Sequence, residues 1–368
     1  MTKNIAAFLK IPVTLAAILL FSFPACKDTD SSDNTGTFDR REMLRNYANN
    51  LIRPAYADLK TSTAALKAAS IDFEAKPTTE HLNALKTTWT AAYTIWQSAN
   101  TYNFGPGGED GLRKGLIEEI GTFPVNETKI ETLIAAGDVS LNNFNRDTRG
   151  FLAVEYLVFS DKNRSLLLDA PRRAYLSALV QHLHTQVETI NAAWNAYEVV
   201  FLAATGTDVG SSTAQLYNEF VRSFEAIKNF KVGLPLGKRA GQTQVEPQLT
   251  EAYYSEASLK MLQQHLLVIE YIYYGRNSAG QDGSGLKDYL DKVTGGPELV
   301  AATTAQLQKI KDALAAIPSD QPFSVLIKNN HPSVHNLHTE LQKQVRFFKS
   351  DMSSLLGIAI TFSSGDGD

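Results

Sequence analysis

The stretch Arg149-Gly150-Phe151-Leu152-Ala153-Val154-Glu155-Tyr156-Leu157-Val158-Phe159 decides how this chain folds. From Phe151 to Phe159 every residue except Glu155 is apolar or aromatic. As a helix the segment has no polar face, so other elements must enclose it. A carboxylate in such surroundings is costly unless it is paired, protonated or bound to a cation. The stretch therefore predicts a buried helix with Glu155 at its centre, and the rest of the chain supplies what surrounds it.

Working outward, the apolar spacing is helical almost throughout. A helix over 38–73 carries Leu44, Tyr47, Leu51, Leu59 and Leu66 on one side, with a kink expected at Pro54. A second runs from Pro77-Thr78-Thr79 to about 100, with Leu85, Trp89, Tyr93 and Trp96 on a stripe. Asn103 to Gly108 must be a loop, and short helical pieces follow near 111–119 and 126–136. Asp147 offers an N-cap to the central helix. Longer helices are expected over 170–204, 212–230 and 255–275, with 231–250 an irregular connection of the kind that often carries function. Helices near 286–293, 297–316 and 332–356 precede a tail, Gly357 to Phe362, that reads as a short strand. The segment Ala153 to Phe159 is echoed by Val268 to Tyr274, which pairs Glu155 with Glu270 and suggests two similar bundles. The fold class is all-α, built of helical bundles.

The first 25 residues read as an export signal. Lys3 and Lys10 precede a run, Ile11 to Phe21, too short to span a bilayer as a helix. Cys26, the chain's single cysteine, follows Ala25 as in a bacterial lipobox, so it is the expected lipid-anchor residue. Residues 27–36, rich in Asp, Ser, Thr and Gly, form a tether. The expected location is the cell envelope, at the outer membrane or on its outer face. A net charge of −4 gives no reason to expect a nucleic-acid partner.

Several chemistries are absent from the sequence: a Walker loop, a Rossmann fingerprint, a Gly-x-Ser-x-Gly elbow and a His-Glu-x-x-His pair. Glu155 is the sharpest candidate, since inward-facing Glu residues of neighbouring helices can hold a metal, and Glu270 would be its partner. His182 and His184 point apart on a helix, while His331, His335 and His338 share a face that reads mainly as solvated. Ser255 and Ser258 stand at the start of the helix leading to Glu270, Ser255 reading most simply as its N-cap. Lys231 and Glu246 are charged residues of the irregular connection.

Taken in chain order, these pieces resemble the imelysin-like family, once grouped with metallopeptidases. The resemblance lies in Trp89, Tyr93 and Trp96, Phe104-Gly105-Pro106, Ile120 to Pro124, Arg149 to Leu157, Gly233-Leu234-Pro235, Glu246, Ser255-x-x-Ser258, and the ending through Asp366-Gly367-Asp368. The family's Gly-x-His-x-x-Glu signature falls on Gly150 to Glu155, with Leu152 in place of its histidine. The resemblance implies two four-helix bundles, 37–205 and 206–368, with a site at their interface, and an association with bacterial iron uptake. It gives Glu155, Arg149, Tyr156, Ser255, Ser258 and Glu246 as ligand-binding candidates beside Glu270 from the internal echo, with Glu155 as the metal candidate for iron or another divalent metal, and Leu152 leaves no catalytic residue. The expected function is that of a lipid-anchored binding protein in iron or other metal uptake, working beside an outer-membrane uptake system. A zinc metallopeptidase, disfavoured by Leu152, and an accessory subunit that binds no ligand are the alternatives.

Overall fold

The computed structural model describes residues 38–109, 115–141, 145–161 and 169–363. The export signal, Cys26, the tether and Asp366-Gly367-Asp368 lie outside the described residues. Among the described residues all regular structure is helical and no strand occurs. No helix among them is long and apolar enough to cross a membrane.

Helix α1 (Arg40–Asn46) starts where the Asp39 carboxylate accepts the Glu42 backbone N–H, a side-chain N-cap. The chain passes through a π turn (Tyr47–Ile52) into α2 (Arg53–Ala75), so Pro54 stands in the first turn of α2. A proline leaves the carbonyl one turn earlier without a donor, and the wider π turn lies where the expected kink would fall. Helix α3 (Thr79–Ala99) is capped by Thr78, and two short helices follow, α4 (Leu116–Ile120) and α5 (Glu127–Ala136). Helix α6 (Phe151–Phe159) is the central segment, and α7 (Ala170–Ala203) runs 34 residues.

The second half opens with α8 (Ser212–Ala226), which continues into another π turn, Ile227–Gly233. The connection then leads to α9 (Ser258–Tyr274), α10 (Leu286–Asp291) and α11 (Gly296–Ala315). Helix α12 (Phe323–Lys328) was not expected, and α13 (Pro332–Arg346) reaches α14 (Met352–Leu356) through a π turn, Phe347–Asp351.

Helices α2, α3, α6 and α7 pack together, as do α8, α9, α11 and α13, and α3 packs against α9 to join the groups. The described residues belong to one compact unit. Trp89 stacks on Tyr93 at 4.9 Å in the first group, and Phe348 sits 4.6 Å from Phe220 and 5.1 Å from Phe224 in the second. Each such buried ring contributes on the order of 2–3 kcal/mol through burial.

Two local expectations need correction. Asp147 does not cap α6; it lies in a 3-10 turn and its carboxylate pairs with Lys129 at 2.9 Å. Gly150 occupies the cap position with φ +87, and a Cβ there would stand 2.3 Å from the Ile120 carbonyl oxygen, so only glycine fits. The tail 357–362 is not a strand, although the Asn218 amide holds it as a neighbouring strand would. Asn218 Oδ1 accepts the Thr361 N–H at 2.8 Å and Nδ2 donates to the Ala359 carbonyl at 2.9 Å.

Candidate functional site

Helix α6 is enclosed as its composition demands, with every residue from Phe151 to Val158 buried. The Trp89 indole N–H donates to the Phe151 carbonyl at 2.8 Å, which fixes the start of the helix against α3. Glu155, 3% exposed, faces the loop that precedes α9. Its Oε1 accepts both the backbone N–H and the hydroxyl of Ser255, each at 2.8 Å. Ser255 is thus not the N-cap of α9, which begins three residues later at Ser258. The loop is strained on both sides of this contact, since Ala252 (φ +53) and Glu256 (φ +57) adopt the left-handed backbone that non-glycine residues avoid. Glu155 supplies two hydrogen bonds that hold the loop in this shape.

The same loop carries Glu251, which lies at the centre of a buried polar layer. Its Oε1 accepts the Tyr93 hydroxyl at 2.7 Å, and its Oε2 accepts the Lys231 ammonium at 2.6 Å. Lys231 also donates to Gln97 Oε1 at 2.5 Å. The layer therefore ties α3 to the π turn after α8 and to the Glu155 loop. A buried ion pair is favourable only when its remaining hydrogen-bond capacity is filled, and Tyr93 and Gln97 fill it here. Burial pulls Lys231 below the ordinary lysine range, while Glu251 opposes the change. Burial lifts Glu155 to about 7 against the two Ser255 hydrogen bonds, and the nearby Glu251 charge adds to the lift.

Beside this layer lies a cavity of about 570 Å³ lined from both halves of the chain. Trp96 and Asn100 come from the end of α3, and Ile117 and Phe123 from α4 and the segment after it. Glu219, Ser223, Glu225 and Ala226 come from α8, and the π turn adds Asn229, Phe230 and Lys231. Glu251, His265 and Phe362 complete the parts that matter here. The Ser223 hydroxyl and His265 Nε2 are 2.7 Å apart. Burial, with Lys231 nearby, holds His265 well below the ordinary histidine range, so the imidazole is neutral. Burial raises Glu219 to about 8, with Arg222 opposing.

The structure distributes the remaining candidates elsewhere. Arg149 reaches Glu119 at 2.8 Å and the Leu141 carbonyl at 2.5 Å. Burial would raise Glu119, but His182 at 3.5 Å and the charges of Arg149 and Arg146 outweigh it and hold the carboxyl at about 2. Tyr156 donates to Glu131 at 2.7 Å, and Arg172 grips the same carboxylate at 3.0 and 2.6 Å. Ser258 bonds the Glu251 carbonyl, and Glu246 accepts from Gln242. Glu270 is not a partner of Glu155. It lies twelve residues along α9 from Ser258, about 18 Å at 1.5 Å per residue, and pairs with Lys311 at 3.0 Å. The internal echo therefore does not extend to its carboxylates. Among the three C-terminal histidines, His331 caps α13 and His335 meets Asn330 at 3.0 Å. His338 is not on a solvated face: burial, with Lys228 and Lys238 nearby, lowers it to about 4.

Glu219, Ser223, Glu225 and His265 were not among the chosen site residues. The available signal was a row of polar side chains, Glu219, Arg222 and Ser223, with helical spacing on a helix otherwise rich in Phe and Tyr. The donors around Glu155 do not fit a zinc centre. Leu152 supplies no ligand, Ser255 already occupies Oε1, and among the described residues no three His, Cys, Asp or Glu side chains are grouped to hold a metal ion.

Comparison with known proteins gives the chain its relatives. The family model for imelysin matches residues 52–348. Iron-regulated protein A of Synechococcus elongatus is 24% identical over 307 residues, covering 80% of this chain and 79% of that protein. A crystal structure of a proposed iron-regulated protein A precursor from Parabacteroides distasonis superposes with a TM-score of 0.71 at 17% identity, covering 86% of this chain and 95% of that one. An imelysin-like protein from Psychrobacter arcticum 273-4 gives a TM-score of 0.71 at 20% identity, covering 88% of this chain and 97% of that one.

Proposed function

The chain belongs to the imelysin family, and from that premise we propose that it is a lipid-anchored binding protein of the cell envelope that takes part in iron acquisition. The observation that carries this reading is the cavity of about 570 Å³, bordered by the Lys231–Glu251 layer and lined from both halves of the chain. A cavity of this size is in the range that encloses small organic ligands, and placed hydrogen-bonding groups within apolar walls are what a binding site needs. The relative named for iron regulation supports the iron-related role. The lipobox-like Ala25-Cys26 supports the anchor. Glu155 acts here through the loop: it holds Ser255, and the loop places Glu251 against Lys231 at the cavity wall.

The metallopeptidase alternative lacks a zinc donor set among the described residues. The reading is tested by uptake of radioactive iron in cells grown under iron limitation. A strain lacking this protein should take up less iron, and the intact gene should restore uptake. Cys26→Ala should move the protein out of the membrane fraction and fail to restore it. Equal uptake with and without the protein would overturn the proposed role.

A further inference from the structure

We propose that the cavity takes an organic cation, a protonated amine carried on an apolar body, as distinct from a bare metal ion. The proposal rests on the reading above only for the location of the site. Its first support is the wall. Trp96, Ile117, Phe123, Phe230 and Phe362 give the cavity an apolar lining suited to a hydrocarbon or aromatic body. A bare ion would leave that surface unfilled, and no group of metal-ligating side chains stands ready among the described residues.

The second support is Glu219. It lines the cavity, is only 5% exposed, and accepts no hydrogen bond from the described residues. Its charged neighbour is Arg222, at 3.5 Å. The Arg222 side chain is 47% exposed and lies over the Phe362 ring at 5.1 Å. A buried carboxyl whose one ionic partner is a half-exposed arginine at 3.5 Å has acceptor capacity left for a bound N–H group. The rise of Glu219 to about 8 is the behaviour expected of such a carboxyl.

The charge balance points the same way. Of the four carboxylates that line the cavity, Glu251 is paired with Lys231 at 2.6 Å, Glu225 with Lys349 at 3.0 Å and Glu118 with Arg146 at 3.6 Å, while Glu219 faces the half-exposed Arg222 at 3.5 Å. An anionic ligand would find Lys231 already held by Glu251 and Gln97, whereas an ammonium group finds Glu219, whose one ionic partner is half-exposed. His265 adds a neutral group beside Ser223, and its buried Nδ1 has no hydrogen-bond partner among the described residues.

Three probes of one shape separate the possibilities: 4-phenylbutylammonium, neutral 4-phenylbutanol and anionic 4-phenylbutyrate, each titrated calorimetrically into the purified protein. The ammonium should bind at least about tenfold more tightly than the alcohol, as expected for a charge-assisted hydrogen bond, and the carboxylate should not bind. Glu219→Gln should reduce ammonium affinity by about tenfold and leave the alcohol unchanged. Ala226→Trp, which fills the cavity from its own wall, should abolish binding of both while circular dichroism stays native. The proposal is overturned if the alcohol binds as well as the ammonium, if no probe binds at millimolar concentration, or if folded Glu219→Gln binds the ammonium normally. If Glu219→Gln does not fold, the selectivity of the unmodified protein decides. Iron uptake lost with the gene but no ammonium binding would leave the acquisition role standing and remove this proposal. Ammonium binding with unchanged iron uptake would do the reverse.

Discussion

Glu155 is a carboxylate whose place in the helix determines its chemistry. The folded protein keeps its proton up to about pH 7, against an ordinary value of 4.5 in the unfolded chain. Between those values the folded state binds more protons, so the stability from this group is present below pH 4.5 and is lost as pH rises through 7. The loss is on the order of 3 kcal/mol for a shift of this size. Glu155→Gln keeps an acceptor for Ser255 and cannot titrate. Calorimetric melting from pH 5 to 8 should therefore show a flatter decline in Tm for the variant than for the unmodified protein. Parallel profiles would contradict this account of Glu155. Gly150 offers a test of a different kind. Gly150→Ala would force a positive φ on alanine and drive Cβ against the Ile120 carbonyl. A destabilisation of at least about 2–4 kcal/mol, read as a fall in the denaturant midpoint, is expected. A change below about 0.5 kcal/mol would show that this turn carries no such constraint.

At the scale of elements, α6 and the α9 loop act together, and the π turn after α8 supplies the third side. An α-helix turns by about 100° per residue, and the wider π turn changes which side chains face the cavity. Here it brings Asn229, Phe230 and Lys231 to one wall. Lys231→Met would leave Glu251 buried with only Tyr93 as donor, at a cost of about 3–5 kcal/mol. Adding Glu251→Gln should recover part of that loss, and a double-mutant cycle by urea denaturation measures it. If the double variant is no more stable than Lys231→Met alone, the ion pair is not what joins these elements. The long helices were legible because their apolar periodicity runs over many turns. Helix α12 was not, because six residues between Pro322 and Pro332 carry too little periodicity to separate them from a loop. The π turns were invisible for the same reason: they change hydrogen-bond register without changing residue type.

Across the whole molecule, the burial of Glu155 and the importance of the Ser255 region could be read from the chain, since both are local signals. The family resemblance and the internal echo placed the remaining candidates in one site, but the fold gives Arg149, Tyr156 and Glu270 separate partners in Glu119, Glu131 and Lys311. Spacing alone could not reveal those partners, because each lies at least 25 residues away along the chain. The cavity was illegible for the same physical reason. It exists only where α3, α8 and the start of the second half's loops meet, and no segment encloses it alone. Its walls come from Trp96 at one extreme and Ser363 at the other.

The most direct test of the account joins the cavity to iron acquisition in one measurement. Radioactive iron uptake is compared in iron-limited cells that lack the protein, carry the unmodified chain, or carry Ala226→Trp. The account predicts that Ala226→Trp is folded and present in the membrane fraction, yet leaves uptake at the level of cells without the protein. Full uptake with the cavity filled would contradict the assignment of this cavity to the protein's function.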